Sequence, residues 1–160
     1  MSIEAGKQVL AIEAQAILAL RARLGKQFSD AVDILFQCQG KIVVIGMGKS
    51  GLIGAKLAST FASTGTPAFF LHAAEGVHGD IGMISHSDIA LIVSNSGETN
   101  EILQILAAIK RIGVPIVALV GNPRSTIANK SNVILDVSVD EEACPLGLAP
   151  TASTTAALAM

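Results

Sequence analysis

Lys41-Ile42-Val43-Val44-Ile45 runs straight into Gly46-Met47-Gly48-Lys49-Ser50-Gly51, and this junction decides how the rest of the chain is read. Four consecutive β-branched apolar residues suit a strand buried on both faces. The glycines end it, and the residues at 50–64 have helical character. The same succession recurs where the apolar run at 89–93 meets Ser94-Asn95-Ser96-Gly97-Glu98-Thr99 and a helical stretch follows over 99–112. Further short apolar strands are predicted at 68–71, 115–120 and 133–137, with a helix at 125–130 and a short irregular or helical turn after His72. This alternation predicts an α/β fold in three layers around a five-stranded parallel sheet. Right-handed crossovers give it the flavodoxin-like order 2-1-3-4-5.

Ahead of the first strand, the residues from Ser2 to about Cys38 read as helix in two pieces, broken near Gly25, with Ser29 or Asp30 available as the new cap. Ile3, Leu10, Ile17 and Leu24 recur at intervals of seven and form one stripe. Such a stripe covers the sheet edge or meets another subunit, and the subunit contact is the reading adopted. At the other end Pro150 is expected to start a helix running to Met160, where the chain stops apolar and uncapped, as a trimmed piece of a longer protein would.

Composition narrows the function classes. A chain of 160 residues is one domain, and at this size roughly 70% of the unfolded surface is buried. Apolar residues make up 51% and the mean hydropathy is +0.58, yet no run approaches the roughly 20 apolar residues needed to span a bilayer. Glu4, Lys7 and Glu13 interrupt the first twenty residues, which have no secretory signal pattern, so the cytoplasm is the expected location. Cys38 and Cys144 stand far apart without metal-ligand spacing and are expected to be reduced thiols. A net charge of −2, no Trp, no Tyr and five Phe leave neither a basic stripe nor stacking platforms, so nucleic acid is not an expected partner.

Polar and glycine residues gather after the strands rather than before them, at the edge where open parallel sheets bind ligands. Gly46, Gly48 and Gly51 match the dinucleotide fingerprint, but the acid that should hold a ribose is missing, since the second strand ends Phe69-Phe70-Leu71-His72. The P-loop pattern also fails, because Gly48-Lys49-Ser50 would need glycine where Val43 stands. The second loop is more specific: hydroxyls on Ser94, Ser96 and Thr99 around Gly97, at the positive end of a helix, can enclose the oxygens of a phosphate monoester. Alone it would equally suit a serine-rich N-cap. Facing a glycine-rich loop that carries Lys49, it points to a phosphorylated small molecule.

With these motifs in order the chain resembles the SIS (sugar isomerase) domain, and within it the arabinose 5-phosphate isomerases. The resemblance spans about residues 6–160 and rests on the 46–51 loop, Ala62-Ser63-Thr64-Gly65-Thr66-Pro67, His78-Gly79-Asp80, the 94–98 loop, Glu142-Ala143-Cys144-Pro145 and Leu148-Ala149-Pro150-Thr151. It implies interconversion of D-ribulose 5-phosphate and D-arabinose 5-phosphate through an enediol, on the way to the Kdo sugar of lipopolysaccharide. No redox cofactor is called for. It also implies a homo-oligomer, a tetramer, and a single SIS domain over 1–160 whose family continues into a further catalytic histidine and a CBS pair.

By the same resemblance Lys49, Glu101 and Glu142 are the catalytic candidates. Gly48, Ser50, Gly65, Thr66, His78, Ser94, Asn95, Ser96, Gly97 and Thr99 are candidates for holding substrate, and His72 stands where related enzymes bind an inhibitory zinc. Read without kinship, Glu101 is a first-turn acid favouring its helix dipole and Glu142 a solvated member of an acidic run. An acid/base role calls instead for partial burial that raises the glutamate's pKa. A binding module that senses sugar phosphate without catalysis is the alternative to an isomerase, and a nucleotide-dependent oxidoreductase is a third reading.

Overall fold

The computed structural model describes residues 2–160. Two helices, α1 (Ser2–Arg23) and α2 (Lys26–Phe36), precede the alternating part of the chain. There β1 (Ile42–Gly46), α3 (Gly48–Ser63), β2 (Ala68–His72), α4 (Ala73–Val77), β3 (Ile89–Ser94), α5 (Asn100–Ile112), β4 (Ile116–Val120), α6 (Thr126–Asn129) and β5 (Val133–Asp136) follow in turn. A tight turn of 3-10 helix, Asp80–Met83, lies between α4 and β3, and α7 (Ala152–Ala159) closes the chain. The strands form one sheet in the order β2-β1-β3-β4-β5, and every pair is parallel.

Because successive side chains of a strand face opposite ways, an uninterrupted apolar strand feeds two cores. Val43 and Ile45 join Ile92, Ile116 and Ala118 against Ile102, Ile105, Leu106 and Ile109 of α5. Ile42 and Val44 join Leu91, Val93, Val117 and Leu119 on the other face, against Leu20 of α1, Ala31 of α2, Ala58 of α3 and Ala156 of α7. The predicted class, strand order and three layers are those observed.

Two local expectations need correction. The break near Gly25 is present, but α2 starts at Lys26 with Gly25 as its N-cap and no side-chain cap, so neither Ser29 nor Asp30 caps it. Helix α7 starts at Ala152, two residues after Pro150. For the stripe of Ile3, Leu10, Ile17 and Leu24 the adopted reading is not overturned, only its alternative of covering the sheet edge: all four are 41% exposed or more, while the face of α1 that carries Ala16 and Leu20 packs inward.

At the amino edge of the sheet, Asp88 closes the turn into β3. It is 1% exposed and accepts the backbone N–H of Lys41 and of Ser85, each at 2.8 Å. Burial pushes its carboxyl up, but the N–H groups of Ser85 and Lys41 more than offset this and hold it below the ordinary value. Gly40 leaves the room, since a Cβ there would overlap the carboxylate.

Candidate active site

A cavity of about 210 Å³ opens at the carboxyl edge of the sheet, walled by the starts of α3 and α7 and by the loop after β3. Its floor is apolar, made by Ile53, Val93, Leu119 and Val137. Lys49 and Ser50 stand on the α3 side, Asn95 on the β3 side, Ser153 and Thr154 on the α7 side. Three of the sequence-predicted residues, Lys49, Ser50 and Asn95, therefore meet in one space.

The turn from β1 into α3 is made possible by close backbone approach. A Cβ on Gly46 would lie 3.0 Å from the Cα of Gly51, so neither position has room for a larger residue without movement. Helix α3 begins at Gly48 without a side-chain cap on Met47. The N–H groups of Gly48, Lys49 and Ser50 make no hydrogen bond among the described residues, and with the Lys49 side chain beside them this end of the cleft favours an anion.

The hydroxyl loop is tied together internally. Ser94 is 2% exposed; its Oγ lies 2.9 Å from Thr99 Oγ1 and accepts the Gly97 N–H at 3.1 Å. Ser94 is thus turned inward and shapes the loop, with Thr99 as its partner, while Asn95 and Ser96 are exposed and Ser96 accepts the Glu98 N–H at 3.1 Å. Gly97 has φ +66°, and a Cβ there would overlap the Ser125 side chain, so only glycine fits. Glu98 reaches across to accept the Thr126 N–H at 2.6 Å, fastening the loop to α6.

Glu142 is half-buried rather than solvated, and it caps α7. Its Oε2 accepts the backbone N–H of Thr151 at 2.7 Å and of Ser153 at 3.2 Å, and the Thr151 hydroxyl at 3.1 Å. Thr151 Oγ1 in turn accepts the Ala143 N–H at 2.8 Å. Burial would raise the Glu142 pKa, but the donors from Ser153 and Thr151 outweigh it and hold the carboxyl below its ordinary value. The expectation of a raised pKa is therefore corrected: Glu142 is kept ionised. All three hydrogen bonds go to Oε2, leaving Oε1 without one among the described residues.

The other candidates are not all gathered here. Glu142 lines a separate depression of about 230 Å³ with Gln8, Ile12 and Cys144, not the cleft that holds Lys49. Glu101 is half-buried in the first turn of α5, outside both spaces. His78 is exposed at the end of α4. Gly65 and Thr66 precede β2, so they lie at the amino edge, away from Gly48 and Ser50, and Thr66 lines an apolar groove with Phe36 and Phe61. Within one copy of the chain they do not meet the two glycine- and serine-bearing loops, because an α-to-β connection returns to the opposite edge from a β-to-α one. His72 ends β2 with its ring 6.3 Å from that of Phe70, and no group of three potential metal ligands forms among the described residues.

Ser153 is the residue that motif reading passed over. It is 4% exposed, it lines the cleft, and its hydroxyl finds no hydrogen-bond partner among the described residues. The loop at 138–153 was visible in the sequence, but nothing there separates Ser153 from its neighbours.

Comparison with known proteins follows the same lines. The family described as SIS domain matches residues 35–160. Arabinose 5-phosphate isomerase KdsD of Yersinia pestis is 53% identical over 157 residues, and that of Escherichia coli K12 is 51% identical, in each case across 98% of this chain and 48% of the relative. The chain thus spans about half the length of the curated relatives it matches. A solved structure of an Escherichia coli CFT073 protein in complex with A5P has a TM-score of 0.93 and 42% identity, covering 98% of this chain and 83% of that one.

Proposed function

The chain belongs to the SIS domain family, and from that premise we propose that it forms the isomerase domain of an enzyme interconverting D-ribulose 5-phosphate and D-arabinose 5-phosphate. The observation that carries the reading is the meeting of Lys49, Ser50 and Asn95 in one cavity at the carboxyl edge. The names of the KdsD relatives and the neighbour in complex with A5P support the choice of sugar.

The phosphate dianion lies against the open start of α3 and the exposed donors of the hydroxyl loop, Asn95 and Ser96, with Gly48, Gly97 and the Ser94–Thr99 pair giving the loops their shape. Isomerisation then moves one proton between C1 and C2 and another between their oxygens. Lys49 steadies the negative oxygen of the enediol. Glu142, ionised and with Oε1 free, accepts the carbon-bound proton, and Glu101 is the second carboxylate of the pair. Since Glu142 and Lys49 line different depressions in one copy, the reading requires the pentose to reach past Ser153, or a second copy to complete the site.

The same kinship supports a cytoplasmic homotetramer that feeds lipopolysaccharide synthesis, with the exposed stripe of α1 turned to a neighbouring subunit, His78 contacting substrate and His72 as a site of inhibitory zinc. Gly65 and Thr66 could reach substrate only from another copy. The test is conversion of D-ribulose 5-phosphate in D₂O by a form spanning the full length of the KdsD relatives. Arabinose 5-phosphate carrying solvent deuterium at C2 is expected; tight binding without product would replace the isomerase with a sensor.

A further inference from the structure

A buried hydroxyl without a partner has lost its hydration with nothing in return, so Ser153 needs an explanation. Its backbone is fixed, since its N–H is given to Glu142 and it sits in the first turn of α7. Its hydroxyl sits near enough to the Glu142 carboxylate to help hold that group's pKa down, yet it reaches no acceptor within hydrogen-bond distance among the described residues; it is buried and belongs to the wall of the cleft that also holds Lys49, Ser50 and Asn95. Rotation about χ1 moves the oxygen between staggered positions without disturbing the helix. What enters the cleft can therefore supply the bond the protein withholds.

Charge decides which end of the ligand that is. At the α3 side, free N–H groups and Lys49 favour an anion. At the α7 side, the helix start is already occupied by the Glu142 carboxylate, which takes the N–H groups of Thr151 and Ser153 and would repel a second negative group. The two walls are thus complementary to a molecule with a charged end and a neutral hydroxylated end.

Resting on the isomerase reading, we infer that Ser153 is a substrate-binding residue whose hydroxyl bonds an oxygen of the sugar, not the phosphate, and so sets the direction in which a pentose phosphate lies across the cleft. The test is Ser153→Ala in the full-length protein. KM for D-arabinose 5-phosphate should rise five- to tenfold. Competition by inorganic phosphate should change less than twofold, and the melting temperature should hold or rise, because an unsatisfied polar group has been removed. An unchanged KM, an equal loss of inorganic phosphate affinity, or a fall in melting temperature with KM intact would overturn the inference while leaving the isomerase reading in place. A wild-type protein that neither converts nor binds the sugar phosphate would overturn both.

Discussion

Asp88 and Glu142 are chemically alike and sit at opposite edges of the same sheet. Each accepts two backbone N–H groups, and in each the donors overcome burial to keep the carboxyl ionised below its ordinary pKa. They differ in access. Asp88 is sealed at 1% exposure, with each oxygen engaged by an N–H, so it can only hold the turn into β3 against the start of β1. Glu142 is half-exposed and engages one oxygen, so the same bonds that cap α7 leave the other without a hydrogen bond among the described residues. A carboxylate becomes available for chemistry when its structural duty is confined to one oxygen.

The sharpest way to break this pairing is Glu142→Gln, which keeps an acceptor for the α7 cap and removes the carboxylate proposed as the base. Turnover of the full-length protein should fall at least a hundredfold with little change in substrate binding; near-normal turnover would return Glu142 to the class of Asp88. The reverse experiment is Asp88→Ala, which strands two part-buried N–H donors and should cost about 1–3 kcal/mol in urea unfolding. Activity per folded molecule should be untouched by it.

Acid sharpens the comparison further. Both native pKa values lie below the unfolded ones, near 3.8 for Asp88 and 4.5 for Glu142, so the unfolded chain binds protons first. Their stabilisation is fully present above those values and is lost as pH falls through the native ones. The stability gap between wild type and Asp88→Ala should therefore be largest at pH 7 and narrow below pH 3.8. The smallest effect is expected from Lys41→Met. The Lys41 Nζ lies 3.4 Å from Asp88 but its side chain is 44% exposed, so the loss should stay below about 1 kcal/mol, because the backbone N–H carries the bond.

The fold was legible because the strands are apolar on both faces: Ile42-Val43-Val44-Ile45 has only one comfortable environment, the middle of a covered parallel sheet. The two strand-to-helix loops were legible as turns because glycine and serine favour them, and it was their occurrence together after β1 and β3 that pointed to a ligand. What escaped was anything set by side-chain direction. Ser94, Ser96 and Thr99 look equivalent in sequence, but Ser94 is spent on Gly97 and Thr99, and only Ser96 of the three faces solvent fully. The start of α7 was missed for a similar reason. Its cap is Glu142, nine positions upstream of Thr151, and no local pattern announces so distant a capping partner.

Helix α1 contributes no residue to the cleft, yet it props the wall opposite Lys49. Glu13 accepts a hydrogen bond from Thr155 at 2.8 Å, joining positions 142 apart, while Ala16 and Leu20 are buried. Loosening that strut, as with Glu13→Ala, leaves every ligand-facing group unchanged but lowers the fraction of molecules in which α7 is seated. Apparent affinity falls by that fraction. The front of the chain thus acts as a remote tensioner, able to weaken recognition without touching what is recognised.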